Sequence, residues 1–119
     1  MSWIFVFVGG GLGSLCRYLI ARLLFRYHLD FPLATLIANG ISCIILGAFM
    51  AWSLKTATHS DWKVFWMAGF CGGFSTFSTF SGETFQLIQS GQSIYALANV
   101  VLSILVCLGC IIIGYRWII

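Results

Sequence analysis

Residues 69–83 read Gly69-Phe-Cys-Gly-Gly-Phe-Ser-Thr-Phe-Ser-Thr-Phe-Ser-Gly-Glu83, and they lie inside a hydrophobic run. Adjacent glycines followed by alternating hydroxyl and phenyl groups are a poor design for a plain apolar helix. They free backbone carbonyls and place small dipoles where lipid should be. Irregular backbone at membrane depth is tolerated only where it is buried in protein or lines a cavity. The segment therefore reads as a site, and the chemistry it offers, carbonyl oxygens, hydroxyls and aromatic ring edges, is that of handling an ion.

Other polar residues inside apolar runs add to that chemistry. Thr35 and Asn39 stand four apart and share a helix face. The Asn39 amide has two uses: gluing helices by a hydrogen bond across them, or donating its NH₂ to an anion while a neighbour holds its C=O. With a helix from Thr76 onward, Phe77 and Phe80 stack at i and i+3, and Thr76, Thr79 and Glu83 form a second stripe. Phenylalanines in a membrane span serve as packing. Turned edge-on, their positive rims can also line an anion path. Glu83 is the one acidic residue within any run. It reads either as a solvated carboxylate at the interface or as part of the site. Asn99, Ser103 and Cys107 recur every four residues. They make one polar face, suited to a helix–helix contact or to an ion-lined track. Arg17 sits within the first run, where it either snorkels to an interface or offers a cation to anions in a vestibule.

The elements that must position these residues follow from composition. Of 119 residues, 61% are hydrophobic and 8% charged, with a mean hydropathy of +1.01. Soluble domains carry about 25% charged residues. Four apolar runs, near 3–25, 32–54, 64–88 and 94–115, each reach the ~20 residues needed to cross a bilayer. The expectation is an all-α membrane protein, one four-helix transmembrane domain over 1–119. The first run is too long for a signal peptide and is expected to stay in place. Breaks between runs carry most of the charge: Arg26, His28 and Asp30, then Lys55, His59, Asp61 and Lys63.

The six basic residues are scattered, which argues against nucleic acid as a partner. Lys55, Lys63 and Arg116 fall on one predicted side and Arg22 and Arg26 on the other. That bias fits a modest orientation preference or insertion both ways up. Cys107 and Cys110 form a C-x-x-C. A redox pair needs thiolate access, and midway along an apolar run these are packing residues. No Cys/His spacing suggests zinc. Gly9 and Gly13 form a G-x-x-x-G step that lets two helices approach closely.

Taken together, Gly10-x-x-Gly13-Ser14-x-x-Arg17-Tyr18, Thr35-Leu36-x-x-Asn39 and the 69–83 segment resemble the Fluc (CrcB) family of fluoride channels over essentially the whole chain. The third motif is the specific one. The resemblance implies a fold of four transmembrane helices per subunit, the third broken, in an antiparallel (dual-topology) homodimer. It implies passive fluoride export with no enzymatic activity, from the plasma (inner) membrane of a bacterium, where the lipid bilayer and a second copy are the partners. The implied anion pathway comprises Asn39, Phe77, Phe80 and Ser103, with Thr35, Thr79 and Glu83 toward its end and Arg17 in the vestibule. The implied cofactor is one structural Na⁺ per dimer, held by backbone carbonyls of Gly72 and Ser75. The chain departs from the family's usual residues at Ser75 for threonine, Ala34 and Ser42 for glycine, Asn99 for tyrosine and Cys107 for serine. Against this stand a small dual-topology proton-coupled multidrug exporter, which needs a membrane carboxylate and has only Glu83, a membrane thiol oxidoreductase using Cys107 and Cys110, and a non-conducting packing subunit.

Overall fold

The computed structural model describes residues 2–26, 31–57 and 60–119, so His28, Asp30 and His59 lie outside the described residues. Among the described residues the regular structure is helical throughout. Three helices are long and apolar enough to cross a membrane: α1, Ser2–Phe25; α2, Leu33–Lys55; and α6, Ser93–Ile118. This is a multi-pass membrane protein. Between α2 and α6 the path is helical but irregular. Helix α3, Ser60–Lys63, leads into a π-helical stretch, Val64–Cys71, then α4, Gly72–Phe74, and after a gap α5, Phe77–Gln89.

The bounds correct the expected ones in small ways. Pro32 sits just outside α2, in the cap position, and α6 runs on through Tyr115 to Ile118. Thr76 was expected on the helical stripe with Thr79 and Glu83. It is instead extended (φ −149°, ψ 126°) and caps α5, its hydroxyl accepting from the Thr79 N–H. Threonine does this well because its side chain supplies the acceptor that a helix start lacks. Ser75 is extended too (φ −86°, ψ 154°), so two residues interrupt the path. The α5–α6 turn closes on Gly91, at φ +82°, where glycine escapes the Cβ penalty. Its N–H reaches the Ile88 carbonyl and the Gln92 N–H the Leu87 carbonyl, satisfying the carbonyls that a helix end orphans.

Lipid offers no hydrophobic force to press helices together, so close backbone approach does that work. Helix α1 lies along Val64–Phe74, and α2 lies along α6. A Cβ on Gly13 would stand 2.2 Å from the Phe70 carbonyl oxygen, and one on Gly47 would stand 2.1 Å from that of Ile111. Helix α5 packs on α6. Ser2 donates to Asp61, and the Lys55 ammonium to the Ile118 carbonyl. Both chain ends and the loop after α2 therefore share one end of the molecule. A file of ring contacts from Phe5 through Trp62, Phe65 and Trp66 to Phe49 and Trp52 braces that end. The outer faces stay apolar for lipid, with Phe7, Ile94 and Trp117 among the most exposed side chains.

Candidate functional site

The interruption at Ser75 and Thr76 redirects a set of backbone groups. In an unbroken helix the Thr76 N–H would bond the Gly72 carbonyl and the Thr79 N–H that of Ser75. Here the Thr76 N–H donates to Asn39 Oδ1 at 3.1 Å, and the Thr79 N–H donates to Thr76 Oγ1 at 3.3 Å. The carbonyls of Gly72 and Ser75 thus lose the amides that a helix would give them. The Gly73 carbonyl accepts from Arg17 Nε at 3.3 Å. The Cys71 carbonyl is the best supplied, taking the Ser75 N–H at 3.0 Å, Ser75 Oγ at 2.8 Å and Ser42 Oγ at 3.1 Å.

Asn39 gains a fixed orientation from this. A backbone N–H can only donate, so the atom facing Thr76 must be the amide oxygen. The NH₂ group is thereby turned the other way. Asn39 lines a cavity of about 290 Å³ together with Ser75, Thr76, Phe77, Phe80 and Ser103, and with two thiols, Cys43 and Cys107. Among the described residues, no charged side chain is in that lining. The Phe77 and Phe80 rings stand 5.7 Å apart, tilted by 40°. Phe80 is half-buried, while Phe77 is 79% exposed, so among the described residues the cavity is open on the Phe77 side.

Behind the cavity runs a hydrogen-bonded file. Ser103 Oγ donates to Asn99 Oδ1 at 3.3 Å, Asn99 Nδ2 donates to Thr84 Oγ1 at 2.9 Å, and Thr84 Oγ1 donates to the Phe80 carbonyl at 2.8 Å. Asn99 and Ser103 are buried. An amide buried in a low-dielectric interior is tolerable only when both ends are satisfied, and Thr84 and Ser103 do this.

The structure thus brings Asn39, Phe77, Phe80, Ser103 and Ser75 to one cavity. It sets Thr35 and Glu83 elsewhere. The Thr35 hydroxyl donates to the Glu83 carboxylate, and Glu83 borders a second cavity with Phe25, Phe31 and Pro32. Thr79 is exposed beside the α5 cap, within 3.4 Å of Thr76 Oγ1. Arg17 is half-buried against the break, and Gly72 is exposed beside it. Sequence reasoning missed Thr84 and Cys43. Thr84 is one hydroxyl among many in its segment. Its signal was indirect, in that Asn99 needed a partner from a neighbouring helix. Among the described residues, no group of three or more His, Cys, Asp or Glu could hold a metal ion, so a hard cation at the break would depend on carbonyl oxygens.

Comparison with known proteins identifies the family. The profile of the family described as CrcB-like protein, Camphor Resistance (CrcB), matches residues 4–115. A fluoride-specific ion channel FluC of Pyrococcus abyssi is 45% identical over 109 residues, covering 91% of this chain and 88% of the relative. One of Rhodospirillum rubrum is 42% identical over 112 residues, covering 91% and 87%. A third, of Enterobacter sp. (strain 638), is 44% identical over 102 residues, covering 84% and 80%. The chain belongs to the CrcB family.

Proposed function

We propose that this chain is a fluoride-selective ion channel, not an enzyme, that lets fluoride leave the cytoplasm passively across the inner membrane of a bacterium. The observation that carries the reading is the convergence of Asn39, Phe77, Phe80 and Ser103 on one cavity with no charged lining residue among the described residues. Family membership supports it, since the relatives named above are fluoride-specific channels.

Fluoride is small and strongly hydrated, so a pore must replace much of its water. For an anion the replacements are hydrogen-bond donors and positive ring edges. Asn39 offers its NH₂ because Thr76 holds the other end of the amide. The start of α5 adds the positive end of a helix dipole beside the cavity. Ser103 donates to Asn99, and its hydroxyl turns to serve the ion. A fixed cation in the cavity would trap fluoride, and conduction needs sites weak enough to leave. In this reading Arg17 supplies positive potential near the break, and Thr79, Thr35 and Glu83 serve toward the ends of the path. A proton-coupled exporter would need its carboxylate where the substrate sits. Glu83 is held by Thr35 at a different cavity, which favours the channel.

The working unit in this reading is an antiparallel homodimer of four-span subunits, with the interrupted Ser60–Gln89 path as the remaining crossing. Exposed Phe77 supports it, because a second copy would complete the cavity wall. The same assembly suits a structural Na⁺. Gly72 and Ser75 present carbonyls whose helical amides are engaged elsewhere, and hard cations take oxygen ligands. Two copies would supply four such oxygens; the ion would neutralise the converging carbonyl dipoles. Dimer mass in detergent, and lower flux when a bulky organic cation replaces Na⁺, check these two parts.

The main test is fluoride efflux from liposomes holding the purified protein, with chloride as control. Asn39→Asp keeps an acceptor for the Thr76 N–H and replaces the donor with a charge. Fluoride efflux should fall about tenfold or more, the scale of one lost hydrogen bond to a charged group, with the dimer intact. Unchanged efflux would remove Asn39 from the path.

A further inference from the structure

Cys43 on α2 and Cys107 on α6 face the same 290 Å³ cavity as Asn39 and Ser103, and the pathway above uses neither thiol. Their helices lie side by side at this level. A Cβ on Gly40 would stand 3.6 Å from Cys110 Sγ and 3.7 Å from Val106 Cγ1, whereas one on Gly47 would meet Ile111. The two helices therefore run in parallel, and Cys43, between those glycines, falls at the level of the Cys107–Cys110 turn. Both cavity thiols are free and half-buried. Neither is held in a disulfide, and the cavity gives them a common open side.

The number of ligands selects the metal. Structural zinc takes four ligands in a tetrahedron, and no group of three or more ligating residues is present among the described residues. Thiolates are soft donors that select Cu(I) among the first-row ions, and a filled-shell monovalent ion is content with two of them in line. We propose that Cys43 and Cys107 form a two-thiol site for a soft monovalent cation, Cu(I) or its redox-inert analogue Ag⁺, in the wall of this cavity. On binding, two S–H bonds release their protons to water and two sulfur–metal bonds form. Nothing is oxidised. Two thiolates and one monovalent ion leave a net charge of minus one in a cavity that otherwise has no charged lining among the described residues. An anion would then have to pass a like charge. The block of fluoride flux rests on the conduction reading above, whereas the binding does not.

The test uses the purified chain in chloride-free liposomes, titrated with Ag⁺. Thiol alkylation is then mapped by mass spectrometry on the unaltered protein. Cys43 and Cys107 should become protected together at one Ag⁺ per chain, with Cys16 alkylated as before. Fluoride efflux should fall about tenfold or more, as expected for a unit charge in a low-dielectric site, and recover when a chelating thiol is added. Cys43→Ser and Cys107→Ser, each shown to be helical and to elute as the parent does, should each leave the remaining thiol unprotected. Cys110→Ser should keep the site. Absence of protection in the unaltered protein, or equal protection at Cys16, would overturn the proposal. Vesicles that are fluoride-tight before Ag⁺ is added, yet show the paired protection, would uphold the thiol site and refute the conduction reading.

Discussion

The seam between α1 and Val64–Phe74 is made of backbone, whereas the seam between α5 and α6 is made of hydroxyls and an amide. In the first, Gly9 meets Gly69 and Gly10 meets Gly73, so closely that a Cβ on Gly73 would stand 2.4 Å from the Gly10 carbonyl. In the second, Thr84, Asn99 and Ser103 pass hydrogen bonds from one helix to the other. A backbone seam has one geometry and no rotamers to choose among. It can hold the near side of the break at Ser75–Thr76 still. A side-chain seam has rotatable donors, and it is the one that borders the cavity. The contrast suggests a division of labour along one interrupted path: the half before the break is scaffold, and the half after it is the working surface.

The largest effect should come from putting a side chain into the backbone seam. Gly13→Ala places a Cβ 2.2 Å from the Phe70 carbonyl oxygen and 2.7 Å from the Phe74 nitrogen. Both are backbone atoms that cannot rotate away. Overpacking typically costs about 1–3 kcal/mol, and the rigid partners put this substitution at the upper end or beyond. The matched control is Gly109→Ala on α6, where a Cβ meets nothing within 4 Å. There alanine's better helix propensity should leave stability level or raise it by up to about 1 kcal/mol. Unfolding titrations in detergent compare the two. If both variants unfold alike, the close seam carries no special weight.

A smaller effect should follow from a cut in the side-chain seam. Thr84→Val keeps the shape and removes the hydroxyl. Asn99 Nδ2 then loses its acceptor, and a buried donor left unsatisfied costs about 1–3 kcal/mol. Pairing it with Asn99→Leu should recover part of that loss, because no orphaned amide remains. Additive losses in that cycle would mean the file from Ser103 to Phe80 is not a unit. The same cut should alter fluoride flux more than Gly13→Ala does per unit of stability lost, since Ser103 borders the cavity and Gly13 does not.

How much of this was legible in the sequence divides along the same line. The glycine step at Gly9 and Gly13 announced a close helix crossing, because absence of a side chain has one structural use there. The hydroxyl-rich segment after Gly73 announced an interruption, because lipid gives no other reason for it. Asn39 had two readings, a bond across helices or an anion donor whose carbonyl a neighbour holds, and the Thr76 N–H on its amide oxygen fits both. The π-helical turn at Val64–Cys71 was invisible. That stretch is apolar on every side, so no periodic pattern marks whether a turn takes 3.6 residues or more. Thr76 as a cap, rather than a member of the helical stripe, was hidden because Ser and Thr alternate on both sides of the helix start. Arg17 had no readable partner, since its acceptor is a main-chain carbonyl freed by a break 56 residues away.

Ser42 gives the finest probe, because here a side chain on α2 bonds the backbone of the scaffold half. Its hydroxyl is buried and donates to the Cys71 carbonyl on the scaffold half, and Cys71 Sγ points back to the Ser42 carbonyl at 3.7 Å. By burial alone, Ser42→Ala should hurt as much as Thr84→Val. The acceptor decides otherwise. The Cys71 carbonyl keeps the Ser75 N–H and Ser75 Oγ, so removing Ser42 Oγ orphans nothing, and the returning thiol contact is to backbone that alanine retains. The loss should be the net value of one hydrogen bond, about 0.5–1 kcal/mol, with fluoride efflux close to the parent rate. A loss as large as that of Thr84→Val would mean that the break is held from α2 rather than by its own Ser75, and the scaffold would have to be redrawn to include the Ser42 turn.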